Sequence, residues 1–229
     1  GSNGSDIRLI SRTPTALGQD LHVAISGLGE RVVHLPLIGA YQAANALLAA
    51  GLAITGGLAA SAVLDALSRV QSVRGRLERA GLTRSGAPIY VDYAHTPDAL
   101  TAALAALRPH AKNRLILVFG AGGDRDAGKR PQMGVAAVSG AEVVIVTDDN
   151  PRGETPAHIR RSILSAAPGA LEVADRREAI TTAIQAANAG DIIIIAGKGH
   201  EQGQIIGSGA SMRVLPFDDV DVAREESGR

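Results

Sequence analysis

Four polar clusters in the chain carry side chains that could bind a ligand charged at both ends. Arg125 and Arg152 each present a planar guanidinium fork that matches a carboxylate, and Glu201 could accept hydrogen bonds from an ammonium group. Two arginines and a glutamate therefore predict a zwitterionic ligand. The clusters are DYAHTPD (92–98), GAGGDRDAGKRP (120–131), TDDNPRGE (147–154) and GKGHEQ (197–202).

Each cluster also has an interpretation that needs no ligand. Arg125 lies among aspartates and glycines that could form a solvated, self-neutralised turn. Pro151 biases Asn150 toward an extended backbone, but an asparagine in a turn often hydrogen-bonds to its own backbone. Glu201 could stabilise a helix start, and a lone loop histidine such as His95 is more often solvated than functional. No single cluster decides between these alternatives.

Two segments resemble nucleotide-binding motifs, but each lacks a residue that the motif requires. Residues 123–129 fit the spacing G-x-x-x-x-G-K of a P-loop, but Arg130 occupies the place of the magnesium-binding hydroxyl. Asp124 and Asp126 would also repel phosphate. The segment GAGGDR begins like a dinucleotide fingerprint, yet Arg125 stands where the last glycine is required. The sequence therefore predicts neither a P-loop nor an NAD site.

Composition argues against several other classes of site. The 23 Lys and Arg residues balance 23 Asp and Glu residues, and aromatic residues make up 2%, so we expect no nucleic-acid partner. The absence of cysteine excludes disulfides and thiolate chemistry and suits a reducing cytoplasm. No apolar run reaches the ~20 residues that a membrane span requires. We expect no metal site, because no partner at ligand spacing accompanies His22, His34, His110 or His158.

The elements that position the clusters alternate between strand and helix from residue 77 onward, which predicts a mostly parallel sheet. The strand candidates are APIYVD, RLILVFG, AEVVIVT, ALEVA and DIIIIAG, and the helix candidates are 97–108, 131–139, 156–166 and 176–189. Their continuous apolar runs favour strands buried on both faces. Each of the four polar clusters follows a strand. We therefore expect them to meet at the carboxyl edge of the sheet, where open α/β folds bind ligands.

The first part of the chain has a different pattern. Residues 7–36 alternate short apolar and polar stretches and predict a few antiparallel strands. Residues 40–69 are rich in Ala and Leu at helical spacing and predict two helices, split near Gly56 and Gly57. Strands followed by two helices are typical of the end of a domain, so a boundary is placed at the linker 71–76.

Five ordered motifs resemble the Mur ligases of bacterial peptidoglycan synthesis, and in particular their diaminopimelate-adding members. They are GRLE (75–78), VDYAHTPDAL (91–100), VFGAGGDRDAGKRPQMG (118–134), VTDDNPRGE (146–154) and AGKGHEQGQ (196–204). The resemblance extends over nearly the whole chain. It implies an α/β fold, with a C-terminal Rossmann-like, mostly parallel sheet domain at 73–229. It also implies that 1–72 is the C-terminal remnant of a central ATP-binding domain.

The resemblance also implies roles for individual residues. Those implied to hold meso-2,6-diaminopimelate are Arg125, Asn150, Arg152, Gly197 and Glu201. The arginines would take the distal carboxylate, and residues 197–201 the distal amino-acid end. Those implied to contact the base, ribose or phosphates of ATP are Asn45, Arg76, Asp92 and His95. The complete enzyme would phosphorylate the D-glutamate side chain of UDP-MurNAc-L-Ala-D-Glu, and the amine would then attack the acyl phosphate.

The chain departs from the family pattern where the phosphates would bind. A complete member carries an N-terminal domain and a central domain with a true P-loop, Mg²⁺ ligands and a carbamylated lysine, and none of these is present in this sequence. We therefore interpret the chain as a cytoplasmic C-terminal fragment that is inactive alone and has no catalytic residue of its own. The alternatives are a non-catalytic binding module and a related ligase that adds L-lysine.

Overall fold

The computed structural model describes residues 6–15 and 17–228. The chain divides into two compact units, Gly1–Ser72 and Val73–Arg229. The opening segment 1–5, which resembles a linker in sequence, lies outside the described residues. Each unit has its own sheet and its own apolar core, so the two are described in turn.

The first unit is a three-stranded antiparallel sheet with two helices. Its elements are β1 (Ile7–Thr15), β2 (Gly18–Ile25), β3 (Gly29–Leu35), α1 (Ala40–Thr55) and α2 (Ala60–Leu67). The sheet order is β1-β2-β3. Alternate β2 residues Leu21, Val23 and Ile25 are buried in a core shared with the inner faces of α1 and α2. The predicted antiparallel strands and helix pair are confirmed.

The second unit is an α/β domain around a six-stranded sheet of order β4-β5-β9-β6-β7-β8, with a separate hairpin, β10-β11. Five neighbouring strands are parallel, and β4 is an antiparallel edge strand. The strands are β4 (Glu78–Leu82), β5 (Pro88–Asp92), β6 (Leu115–Phe119), β7 (Val143–Val146), β8 (Leu171–Glu172), β9 (Ile192–Ala196), β10 (Gly203–Ile206) and β11 (Arg213–Pro216). The helices are α3 (Pro97–Leu107), α4 (Lys129–Gly140), α5 (Pro156–Leu164), α6 (Arg176–Ala186) and α7 (Asp219–Ser227).

Both faces of the central strands are covered, as their continuous apolar sequences predict. Every residue of β6 and β9 is buried. Ile193 and Ile195 of β9 pack in a core with α6 and α7 on one face of the sheet. Alternate residues of a strand point to opposite faces, so Ile194 faces the other side, where α3, α4 and α5 contact the sheet. The expectation of a mostly parallel α/β sheet is confirmed.

Local hydrogen bonds at the helix starts explain where several helices begin. The Thr96 hydroxyl accepts from the backbone N–H of Ala99 at 3.2 Å, directly before α3. The Asp175 carboxylate accepts from the N–H of Glu178 at 2.8 Å before α6. Thr155 precedes α5 in the same Thr-Pro pattern, but its side chain makes no capping hydrogen bond. Helices α3 and α5 therefore share the proline in the first turn, and not the capping hydrogen bond, as the feature that marks where each begins.

Four elements of the second unit were not predicted from the sequence: β4, β10, β11 and α7. Strands β10 and β11 are four residues each and half-buried or exposed, so neither has the apolar run that identifies a buried strand. Strand β4 contains Glu78, Arg79 and Gly81, so it also lacks an apolar run that would identify it as a strand. These elements are held by tertiary contacts that a local sequence pattern does not contain.

Tyr90 provides a test of the packing of β5. Its side chain is 3% exposed, and burial raises its pKa to about 12 from the usual 10.0. Between these values the unfolded chain releases the phenolic proton while the folded chain retains it. We therefore expect the free energy of unfolding to fall as pH rises through 10 to 12, by roughly 3 kcal/mol from this group.

Urea unfolding of the protein and of Tyr90→Phe across that pH range measures this contribution. Other groups titrate equally in both proteins, so the difference between the two curves isolates the phenol. If the free energies of unfolding of the protein and of Tyr90→Phe changed in parallel with pH, the phenol would not be desolvated in the folded chain.

Candidate functional site

The four polar clusters meet at the carboxyl edge of the parallel sheet, because β5, β9, β6 and β7 are consecutive neighbours. Close backbone approaches join the loops that follow these strands. A Cβ on Gly199 would lie 2.6 Å from the Tyr93 Cβ, and one on Gly120 would lie 2.3 Å from the Thr147 carbonyl oxygen. The glycines therefore allow neighbouring loops to touch, which a larger residue would prevent.

The loop after β6 is tied to the loop after β7 by backbone contact. The Gly123 N–H donates to the Asn150 carbonyl at 2.8 Å. A Cβ on Gly123 would lie only 1.9 Å from the Pro151 carbonyl oxygen. The stretch GAGG is thus required for close packing of two loops rather than for a dinucleotide.

Arg130 and Glu154 form a second tie between the same two loops. The buried Arg130 guanidinium donates to both Glu154 carboxylate oxygens, at 2.9 and 2.7 Å, and lowers the pKa of that carboxyl. The Asp124 N–H donates to the same carboxylate at 2.6 Å. The residue that breaks the P-loop pattern therefore has a structural role of its own.

Side-chain atoms of Arg125 and Arg152 both lie close to Gly122. A Cβ on Gly122 would be 2.7 Å from Arg152 Nη1 and 3.8 Å from Arg125 Cγ. Arg125 is exposed, and among the described residues its Nη1 donates to the Asp124 carbonyl alone, at 3.1 Å. The structure thus brings together the two arginines that the sequence predicted to share a carboxylate.

The backbone of Arg152 is held in an unusual conformation by β10. Its φ is +50°, its N–H donates to the Ile205 carbonyl at 3.1 Å, and its carbonyl accepts from the Gly207 N–H at 2.7 Å. Its Nη1 donates to the Gly123 carbonyl at 3.0 Å. Among the described residues, Nε and Nη2 have no hydrogen-bond partner, so they remain available to a ligand.

Asn150 is buried, and its side-chain amide is already hydrogen-bonded. Its Oδ1 accepts from Lys198 Nζ at 2.8 Å and from the Ile205 N–H at 2.9 Å. Its Nδ2 donates to Glu201 Oε2 at 2.8 Å. The Asn150 side chain is therefore directed toward the loop after β9 and toward β10.

Glu201 and Gly197 complete the predicted group on the loop after β9. The Glu201 side chain is 34% exposed and uses Oε2 for the bond to Asn150, while Oε1 has no hydrogen-bond donor in the part of the chain that the structure describes. Gly197 has a φ of +117°, and its N–H donates to the Asp92 carbonyl at 3.1 Å. Arginine forks and a glutamate oxygen thus occur on adjoining loops, as binding a zwitterion requires.

The residues assigned to ATP by resemblance fall into two places. Arg76 and His95 surround Tyr93: the Arg76 guanidinium carbon lies 4.6 Å from the ring centroid, and the His95 ring centroid lies 4.6 Å from it. Asn45 is an exposed residue of α1 in the first unit. The sequence interpretation missed Tyr93 and also His200, whose ring centroid is 5.1 Å from that of Tyr93.

Asp92 organises the loop after β5. Its Oδ1 accepts from the Ala94 N–H and its Oδ2 from the Leu77 N–H, both at 2.8 Å. Burial raises the pKa of Asp92, while these two bonds and the nearby Arg76 oppose the shift. Asp92 therefore orients the backbone around Arg76 and Tyr93.

The sequence interpretation also missed a buried ion pair below the loops. The Arg176 guanidinium donates to both Asp219 oxygens at 2.7 Å, to the Ala196 carbonyl at 3.0 Å and to the Asp148 carbonyl at 3.4 Å. Both side chains of the pair are fully buried. Nothing in the segment DRRE distinguishes Arg176 from a solvated arginine at the start of a helix.

A cavity of about 500 Å³ lies at the opposite edge of the sheet, near the turn between β4 and β5. Its hydroxyl groups are already hydrogen-bonded: Thr83 to Ser85 at 2.8 Å, and Ser85 to the Ala187 carbonyl at 2.8 Å. At the carboxyl edge, by contrast, two arginines on adjoining loops converge, and both have side-chain nitrogens without a partner among the described residues. We therefore take the carboxyl edge, and not this cavity, as the candidate site.

The structure describes residues 6–15 and 17–228. No group of three or more histidine, aspartate or glutamate side chains within this part of the chain could hold a metal ion. No helix in the same residues is long and apolar enough to cross a membrane.

Comparisons with known proteins agree on one family. The family described as "Mur ligase, glutamate ligase domain" matches residues 75–199, more than half of the chain. A curated UDP-N-acetylmuramoyl-L-alanyl-D-glutamate–2,6-diaminopimelate ligase from Zymomonas mobilis subsp. mobilis is 56% identical over 225 residues, covering 98% of this chain and 46% of its own length. The Caulobacter vibrioides ligase of the same name is 55% identical, with coverages of 96% and 44%.

The solved structure of a protein with the same name gives a TM-score of 0.75 at 37% identity. It covers 99% of this chain and 46% of its own. This chain therefore spans about half the length of the relatives that it matches.

Gly123→Ala tests the contact between the loops after β6 and β7. The added methyl group would collide with the Pro151 carbonyl, so we expect a loss of about 2 kcal/mol in the free energy of unfolding, measured in urea. Gly228→Ala is the matched control, because its Cβ would meet only ordinary contacts at 3.7 and 3.8 Å. Equal stability of the two variants would contradict the proposed close approach.

Proposed function

The chain belongs to the Mur ligase family, and on that premise we propose that it is the amino-acid-selecting part of an ATP-dependent ligase. The ligase joins meso-2,6-diaminopimelate to UDP-N-acetylmuramoyl-L-alanyl-D-glutamate in peptidoglycan synthesis, in the cytoplasm. The substrate names come from the similar ligases, of which this chain spans about half. The activity belongs to the whole protein.

The observation that carries the proposal is the unpaired guanidinium of Arg152 beside Arg125. Nε and Nη2 of Arg152 have no partner among the described residues, while Nη1 is anchored to the Gly123 carbonyl. An anchored guanidinium is pre-organised to bind a carboxylate through two parallel hydrogen bonds. Diaminopimelate has a carboxylate at its distal end, and lysine has none, so this pair of arginines would select between them.

The other end of the site complements an ammonium group. Glu201 keeps one carboxylate oxygen open, and Asn150 holds the other at 2.8 Å. Gly197 allows the backbone to approach the ligand closely because it has no side chain. Arg125, Asn150, Arg152, Gly197 and Glu201 would thus hold the distal amino-acid end of diaminopimelate, with Asn150 acting mainly by orienting Glu201.

The reaction needs an amine placed against an activated carboxyl group. ATP transfers its γ-phosphoryl group to the D-glutamate side-chain carboxylate, giving ADP and an acyl phosphate. The amine of diaminopimelate then attacks the acyl carbon, an amide bond forms, and inorganic phosphate leaves after the nitrogen loses a proton. The residues of this chain contribute by binding and orienting the amine donor, which lowers the entropic cost of the bimolecular step.

The nucleotide would lie near Tyr93. Arg76, Tyr93, His95 and His200 form a cluster of π faces and a cation, which suits a base or a phosphate. Asp92 would act by orienting this loop. Asn45, on α1 of the first unit, stays a prediction as an ATP contact. Mg²⁺ would neutralise phosphate charge in the whole enzyme.

The two units fit the same proposal. Residues 1–72 would be the last part of the central ATP-binding domain, and residues 73–229 the C-terminal domain of the ligase. The family match at residues 75–199 supports the second assignment, because it lies within the α/β unit.

A chimeric enzyme tests this function. This chain replaces the aligned segment of the Zymomonas mobilis relative, and amide formation is measured with meso-diaminopimelate and with L-lysine. We expect the chimera to use meso-diaminopimelate and to discriminate against L-lysine by about 100-fold or more in kcat/KM. Equal use of both amines, or a preference for lysine, would overturn the assignment.

Arg152→Ala tests the proposed carboxylate contact in the same chimera. Loss of a charge-assisted bidentate interaction should raise KM for meso-diaminopimelate by about 10- to 100-fold and leave KM for ATP within about twofold. Arg84→Ala is the matched control, since Arg84 is exposed in the turn between β4 and β5, at the other edge of the sheet. An unchanged KM for diaminopimelate in Arg152→Ala would remove that residue from the site.

A further inference from the structure

Lys198 is a fully buried lysine within the candidate site. A lysine is almost never buried unless its charge is paired and its hydrogen bonds are satisfied. Here Nζ donates to Asn150 Oδ1 at 2.8 Å and to the Gly203 carbonyl at 2.9 Å, and Asp149 Oδ1 lies 3.5 Å away. Its ammonium group therefore joins three segments: the loop after β7, the loop after β9 and the start of β10.

These contacts determine which way the Asn150 amide faces. Two donors, Lys198 Nζ and the Ile205 N–H, point at the same oxygen, at 2.8 and 2.9 Å. The Nδ2 group must then face Glu201 Oε2, at 2.8 Å. If the amide were rotated by 180°, its NH₂ group would face the two donors, Lys198 Nζ and the Ile205 N–H. Its oxygen would then face the Glu201 carboxylate, so no hydrogen bond could form on either side.

Lys198 itself is not placed to bind a ligand. Its side chain is 0% exposed, and Glu201 Oε2 lies 4.0 Å from Nζ, beyond hydrogen-bonding distance. Burial lowers the pKa of Lys198, and Asp149 opposes that shift as the nearest carboxylate. Any effect of Lys198 on a ligand is therefore transmitted through the groups that it holds.

We propose that Lys198 is a positioning residue for amino-acid selection. By fixing the Asn150 amide, it holds the Glu201 carboxylate in the orientation that receives the ammonium group of the incoming amino acid. This inference rests on the proposed function, because it concerns the same site.

The same anchor extends to the arginine end of the site. Lys198 holds Gly203 at the start of β10, and the Gln204 side chain donates to the Asp149 carbonyl at 2.7 Å. Farther along β10, Ile205 accepts from the Arg152 N–H at 3.1 Å. Loss of the ammonium group would therefore loosen both ends of the site.

The kinetic test uses Lys198→Met in the chimeric ligase. We expect KM for meso-diaminopimelate to rise at least tenfold and KM for ATP to stay within twofold. Arg114→Met is the control for a general loss of stability, because Arg114 forms an ion pair with Asp191 at the other edge of the sheet. It should lower Tm without changing KM for diaminopimelate. An unchanged KM in Lys198→Met would overturn the proposal.

A double-mutant cycle tests whether Lys198 acts through Asn150. In an Asn150→Ala background the lysine has no amide to orient and keeps only its bond to the Gly203 carbonyl, so adding Lys198→Met should raise KM for diaminopimelate by a clearly smaller factor than it does when Asn150 is present. Additive effects of the two substitutions would mean that Lys198 acts by another route, and they would overturn the proposal.

A third measurement on this chain does not depend on ligase activity. The side-chain NH₂ of Asn150 is followed by NMR hydrogen exchange in the protein and in Lys198→Met, and we expect exchange at least tenfold faster in the variant. Equal rates would overturn the positioning role. A parent chimera that fails to use diaminopimelate would instead overturn the proposed function, so the two failures are distinguishable.

Discussion

The carboxyl edge of this sheet depends on the hydrogen bonds of the Asn150 side-chain amide. It is buried, and it bonds at once to the loop after β9 and to β10. A buried amide must satisfy its donor and acceptor groups on different partners, so its orientation and theirs are mutually determined. The hairpin β10-β11, the Lys198 ammonium and the Glu201 carboxylate are therefore placed by one shared group.

The distribution of charge partners decides which cations are available to a ligand. Four cations among the described residues are buried, and each has a carboxylate nearby, because an unpaired buried charge is costly. Arg125 and Arg152 differ from them in that their bonds within the described residues go to backbone carbonyls. The paired groups support the loops and leave these two arginines for a ligand. The four pairs are Arg130 with Glu154, Arg160 with Asp148, Arg176 with Asp219 and Lys198 with Asp149.

Much of the fold could be predicted because its central strands are continuous apolar runs. Strands β6 and β9 are buried on both faces, so their sequences are apolar throughout, and the strand–helix alternation predicts that they are parallel. The hairpin β10-β11 could not be predicted in this way, since half-exposed strands of four residues have no diagnostic pattern. Its position depends on bonds to Asn150 and Arg152, which are distant in sequence.

The sequence by itself determined the fold class, the meeting of four polar loops at one edge, and the residue types that suit a zwitterion. These properties follow from local apolar patterning and from the direction of parallel strands. Only the tertiary structure decided which charges are free. Arg130 and Arg152 are both arginines in polar clusters, yet one is buried against Glu154 and the other keeps two nitrogens that no described residue contacts by a hydrogen bond. Pairing depends on distances between loops that are far apart in sequence, and no local pattern encodes them.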